Sequence, residues 1–166
     1  MGLALLDTNV LIYAAYRRSP LHEAATILVD RALRQRGLYC IAPQNLVEFA
    51  AVATRRRAGE EPMPVEEVLR ITDILYRSRT LIKIYPQRGT VSRTMREGSE
   101  LGVQGPAWYD LFLAITMRDA GVRELITENV SDSEGLSFLK VRAFPDSSSA
   151  ARSMPSAGPM TCFQPR

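Results

Sequence analysis

Apolar residues along this chain follow two rhythms. Short, nearly unbroken runs sit at "LALL" (3–6), "LYCIA" (38–42), "LIKIY" (81–85), "ELIT" (124–127) and "LKVRAF" (139–144). Their length and lack of alternation suit strands buried on both faces. Between them the apolar positions take a helical period. A helix is predicted over 8–17. A second starts at Ser19–Pro20, with Pro20 in its first turn, carries Leu21, Ala24, Ala25, Leu28, Val29, Ala32 and Leu33, and stops at Gly37. Pro43 opens a third helix, which reaches the cluster Arg55, Arg56 and Arg57. Pro64 opens a fourth, ending near 79. A helix of mixed polarity is expected over 89–101, and Pro106 opens a strongly apolar one that ends at Gly121. Strands alternating with helices predict an α/β domain with a short, mainly parallel sheet. From residue 145 onward Ser, Pro and Ala dominate, with little to bury. The expected division is therefore a domain over 1–145 and a flexible tail over 146–166.

Composition narrows the class. The chain has 166 residues, 46% hydrophobic and 23% charged, which suits one globular domain with a real core. No apolar run approaches the roughly 18 residues of a membrane span, and the N-terminus lacks a secretory pattern. Cys40 sits in an apolar run and Cys162 in the polar tail, so reduced thiols and a cytoplasmic location are expected. The net charge of +3 is mildly basic. Only Lys83 and Lys140 are lysines, the other bases being arginine. Arginine suits phosphate recognition, and it is equally what a GC-rich genome encodes.

Most acids have an ordinary explanation in loops or on polar helix faces. Three do not. Asp7 ends the first strand in "LLDTNVLIY", Glu48 lies inside "LVEFAAVA", and Asp110 lies inside "WYDLFLAI". Singly, Asp7 could cap a helix, Glu48 could pair with the arginines at 55–57, and Asp110 could favour the positive end of its helix. Together they suggest one site at the carboxyl ends of the strands, where open α/β sheets bind ligands. Carboxylates converging to about 4 Å repel by roughly 4 kcal/mol per pair at an effective dielectric near 20. Such a cluster asks for a hard divalent cation, Mg²⁺ or Mn²⁺. Removing Asp7 is then expected to leave the protein folded or slightly stabilised. Zinc is disfavoured, because His22 is the only histidine and reads as surface. No phosphate-binding glycine loop, dinucleotide turn or nucleophile elbow is present. Metal-assisted phosphodiester hydrolysis is the chemistry that remains.

The segments "LLDTNVLIYA", "NLVEFAAV" and "GPAWYDLFLAITMRDAGVRELITENVSD" resemble the PIN domain, and in particular the VapC-like toxins of bacterial toxin–antitoxin pairs. The resemblance covers about 3–145. It implies a three-layer α/β/α fold and a Mg²⁺- or Mn²⁺-dependent ribonuclease. It makes Asp7, Glu48 and Asp110 the core acids, with Thr8 and Asn9 steadying the first. A fourth acid is common in the family two residues after a Thr. Here Asn129 stands there after Thr127, and Asp132, three residues on, is expected to supply the charge. The resemblance also implies an RNA substrate, a homodimer, no membrane, and a small antitoxin that lays a helix in a groove. Tyr13, Tyr16, Leu21 and "EEVLRITDIL" could form that groove or be core, and core is the simpler reading. Two alternatives stay open: a nuclease for structured or single-stranded DNA, and a non-catalytic RNA- or partner-binding module.

Overall fold

The computed structural model of the chain describes residues 2–56, 61–130 and 138–144. In chain order the elements are β1 (Ala4–Leu6), α1 (Thr8–Ala15), α2 (His22–Arg34), β2 (Tyr39–Ile41), α3 (Pro43–Ala53), α4 (Val65–Arg77), β3 (Ile82–Lys83), α5 (Thr90–Leu101), α6 (Ala107–Asp119), β4 (Glu124–Thr127) and β5 (Lys140–Ala143). The sheet has five strands in the order β3-β2-β1-β4-β5, and every pairing is parallel. The expected α/β class, the predominantly parallel sheet and each predicted strand and helix are therefore present. Boundaries differ by a few residues. At Pro20 the start is displaced: α2 begins only at His22, because residues 19–22 form a turn closed by the His22 N–H on the Ser19 carbonyl. The tail expected over 146–166 lies outside the described residues.

Period-2 geometry explains the layers. Successive strand side chains point to opposite faces. Ala4 and Leu6 of β1, with Tyr39 and Ile41 of β2, join a core built with Val10, Leu11, Val29, Phe49, Ile71 and Leu75. That face is covered by α1 to α4. Leu5 and Cys40 point the other way, to Leu113, Met117, Val122 and Leu125, the face covered by α6 with α5 outside it. Both faces of the sheet are thus dry around β1, β2 and β4, which is why these strands read as continuous apolar runs. The Cys40 thiol is buried and free, and burial pushes its pKa up to about 12, so it is packing and not a nucleophile. Among the described residues no helix is long and apolar enough to cross a membrane.

The strand order has one consequence for function. From β1 the chain winds to β2 and β3 on one side, then returns past β1 to β4 and β5 on the other. The order reverses between β1 and β4. In open parallel sheets the crevice outside the carboxyl ends at this switch point is where ligands bind.

Candidate active site

The switch point is built by residues 7–9 and 127–129. The Asp7 backbone N–H continues the β1–β4 ladder onto the Ile126 carbonyl (3.0 Å), so Asp7 stands beside Thr127 at the sheet's carboxyl edge. Its extended backbone (φ −68°, ψ 157°) ends the strand and caps α1. Asp7 Oδ1 accepts the Thr8 N–H (2.6 Å). Asp7 Oδ2 accepts the Asn9 amide (2.9 Å) and the Thr127 hydroxyl (2.6 Å). Asn9 Nδ2 also donates to Thr127 Oγ1 (2.8 Å), which in turn accepts the Asn129 N–H (3.0 Å). Asp7 is therefore both a helix cap and a side chain locked at the mouth of the sheet; the two roles do not compete.

Glu48 enters through Thr8. The buried Thr8 hydroxyl donates to Glu48 Oε2 (2.8 Å) and accepts from Asn45 Nδ2 (3.2 Å). One threonine thus joins both acids, its N–H on Asp7 and its O–H on Glu48. Asp110 sits in the first turn of α6. Gln44 Nε2, in the first turn of α3, donates to the carbonyl of Tyr109 (2.9 Å) and draws the starts of α3 and α6 together at this edge. The starts of α1, α3 and α6 therefore gather here, and their dipoles favour negative charge.

Several expectations change. Glu48 is exposed and not wrapped by apolar neighbours: α3 turns Leu46, Phe49 and Ala53 inward, and Val47 with Glu48 outward. Among the described residues no arginine forms an ion pair with Glu48. Asp110 is also exposed, because the apolar face of α6 begins at Leu111. The Asn129 N–H donates to Thr127 at the site, and the residue is exposed. Asp132 and Arg57 lie outside the described residues. His22 is half-buried, with Nδ1 3.2 Å from the Tyr13 carbonyl, and is not simple surface. Tyr13, Tyr16 and Leu21 pack against the core, with Tyr16 Oη donating to the Ala53 carbonyl (3.0 Å). Among the described residues no three His, Cys, Asp or Glu side chains form a ready-made metal cage.

Two contributors were not singled out from the sequence. Thr127 touches Asp7 directly. Asn45 is wholly buried, and besides donating to Thr8 it accepts the Ala42 N–H at Oδ1 (2.9 Å). That second bond is half of a capping box, the third helical residue reaching back to the cap. We expect Asn45→Ala to lower Tm by several degrees. An orphaned buried donor costs about 1–3 kcal/mol, at roughly 2–4 °C per kcal/mol for a chain of this size. Asn45→Asp keeps the Ala42 bond but buries a carboxylate against the Thr8 oxygen, close to Glu48, so it should be less stable than Asn45→Ala. Thermal melts of the two variants check the order.

The donor set at the mouth is oxygen from carboxylates, hydroxyls and amides, the kind that holds hard cations. Mg²⁺ keeps several waters and needs only one or two protein carboxylates, so an open set fits it without a closed cage.

A family model described as the PIN domain matches residues 4–131. Among solved structures the fold is similar to VapBC2 from Rickettsia felis bound to a DNA fragment from their promoter (TM-score 0.59, 17% identity, 86% of this chain and 98% of that one). It is similar to VapBC-1 from nontypeable Haemophilus influenzae (TM-score 0.58, 19% identity, 85% and 97%). It is also similar to VapC20 of Mycobacterium tuberculosis, a sarcin-ricin-loop-cleaving toxin (TM-score 0.56, 12% identity, 74% and 86%). At these identities the likeness is one of fold. No relative was found among curated proteins.

Proposed function

The chain belongs to the PIN domain family, and from that premise we propose that it is a metal-dependent endoribonuclease, the toxin of a toxin–antitoxin pair. The observation that carries this reading is the joining of Asp7 and Glu48 through Thr8 at the switch point, with Asp110 on the adjacent helix start. The fold it shares with VapC toxins supports the substrate class and a cognate antitoxin. A homodimer and a cytoplasmic location complete the proposal.

Asp7, Glu48 and Asp110 would hold Mg²⁺ or Mn²⁺. The cation, when bound, lowers the pKa of water and neutralises charge on the phosphate. The chain's own residues do the rest. Thr8, Asn9 and Thr127 fix both oxygens of Asp7. Glu48, exposed and steadied at one oxygen, takes the proton from the attacking water. The three helix starts balance the negative charge collected at the edge.

Purified protein incubated with single-stranded RNA and Mn²⁺ should cut it, and a chelator or Asp7→Asn should stop it. Cleavage that persists under either condition, or that falls on DNA and spares RNA, sinks the proposal. The cation should also raise Tm by mass action, since it binds the folded state only, and Asp7→Asn should lose most of that shift.

The fourth position is assigned to Asp132, with Asn129 as a backbone support to Thr127. We expect Asp132→Asn to weaken metal affinity and slow cleavage strongly, and Asn129→Ala to cost less, because it removes a neutral amide where Asp132→Asn removes a full charge. Metal titrations beside cleavage rates decide this. Raised activity in Asn129→Asp with no effect of Asp132→Asn would reverse the assignment.

A further inference from the structure

We infer that Tyr109 is a stacking platform for an RNA base at the lip of the site, and that Gln44 is the positioning residue that holds it there. The inference rests on the ribonuclease reading and names what grips the substrate. A mouth lined with carboxylates repels a polyanion, so some of the hold on RNA must come from contacts other than charge. Single-stranded RNA is commonly gripped by aromatic faces, because every base has one.

The tyrosines of the chain sort themselves by use. Tyr39 is buried. Tyr13 donates to Glu128 (2.9 Å) and Tyr16 to Ala53. Tyr76 and Tyr85 hydrogen-bond to each other. Tyr109 is 69% exposed, and among the described residues its hydroxyl makes no hydrogen bond. It directly precedes Asp110 in the first turn of α6. A side chain so exposed has no packing role in the core.

Its backbone, by contrast, is fixed. The Gln44 amide donates to the Tyr109 carbonyl across the gap between α3 and α6. The other amide atom, Gln44 Oε1, is buried and accepts no hydrogen bond among the described residues. An unsatisfied buried acceptor is unfavourable, so this orientation is held by the bond to Tyr109 alone. Val47, 71% exposed, lies three residues on from Gln44, on the same side of α3 and next to Glu48. The exposed ring is therefore carried by the same turn as Asp110, and that turn is tied to the helix that carries Glu48.

The test uses the full chain in chelator, where binding is read without cleavage, and a labelled single-stranded RNA followed by fluorescence anisotropy. Tyr109→Ala should weaken binding roughly 5- to 150-fold, the range for loss of one stacked base. Tyr109→Phe should stay within about twofold of wild type, since stacking needs the ring and not the hydroxyl. The loss in Tyr109→Ala should be the same at low and high salt, because stacking releases no counterions. Gln44→Met should weaken binding less than Tyr109→Ala and raise KM more than it lowers kcat. Equal binding by Tyr109→Ala and wild type overturns the inference. So does a Phe variant as weak as the Ala variant, or a change of oligomeric state in Tyr109→Ala, which would mean that a second copy covers the ring. Wild type that fails to bind RNA, or binds only DNA, overturns the ribonuclease reading and the inference together; Tyr109→Ala that binds and cuts RNA normally overturns the inference alone.

Discussion

Asp7→Asn should reduce metal-dependent RNA cleavage by roughly 10³–10⁵-fold, the scale on which losing one member of a catalytic unit is felt. Asp7 is the side chain on which the others depend. Three donors aim its two oxygens, and Thr8, which supplies one of them, also aims Glu48. The asparagine keeps the size and the oxygen that accepts the Thr8 N–H, so α1 keeps its cap. It removes the charge, and its amide then faces the Asn9 amide and the Thr127 hydroxyl as donor against donor. Asp7→Ala is the harsher change. It deletes the cap, worth about 1 kcal/mol, and takes an acceptor from the buried Thr127 hydroxyl. The expectation from sequence that Asp7→Ala leaves stability unchanged or raised is therefore revised: its Tm should fall below that of Asp7→Asn. Cleavage and melting measured on the same preparations check both points. Wild-type cleavage by Asp7→Asn would remove Asp7 from the chemistry and leave it only a cap.

The fold was legible because the central strands β1, β2 and β4 are buried on both faces and glycine and proline punctuate the helices. "ELIT" matches β4 residue for residue. Gly102 and Gly121 end α5 and α6 at φ 65° and 72°, where a glycine is needed. β3 shrank from five expected residues to two. It is an edge strand, Lys83 turns its ammonium back onto the Ser78 and Leu81 carbonyls, and Pro86 has no N–H to extend a ladder. The acids were legible by position but not by environment. Apolar neighbours in sequence are not neighbours on a helix face, so Glu48 and Asp110 read as buried and prove exposed. Asn45 was missed for the converse reason. It sits in a polar pair at a helix start, where a solvated residue is ordinary. Its one signal was its place, three residues after the end of a strand in a helix opened by proline, where a side chain can reach back to the cap.

Gly98→Ala should destabilise the protein, and the sign should reverse in a Trp108→Ala background. In an ordinary mid-helix position alanine gains up to about 1 kcal/mol over glycine. Here a Cβ would stand 2.3 Å from Trp108 Cζ3, 2.5 Å from Cη2 and 3.0 Å from Leu111 Cδ2. Forcing apart a packed contact costs about 1–3 kcal/mol or more, so the clash outweighs the propensity gain. The rigid indole of Trp108 must give way, and it is carried by the first turn of α6, a helix whose far end is pinned to α5 by Glu97–Arg118 and by Asp119 with Thr90 and Arg93. Those pins hold their charges firmly. The hydrogen bond from Arg118 keeps the Glu97 carboxyl below its usual range, and at Asp119 burial pushes upward but the bonds from Arg93 and Thr90 outweigh it. The displacement therefore falls on the turn that carries Tyr109 and Asp110, and cleavage should drop with stability. In Trp108→Ala the ring is gone and Leu111 alone is near, at a distance that a small shift relieves. There Gly98→Ala should recover the propensity gain. Denaturant melts of the four proteins give the cycle, and a destabilisation that persists without Trp108 would show that α5 is held off by its backbone and not by the indole.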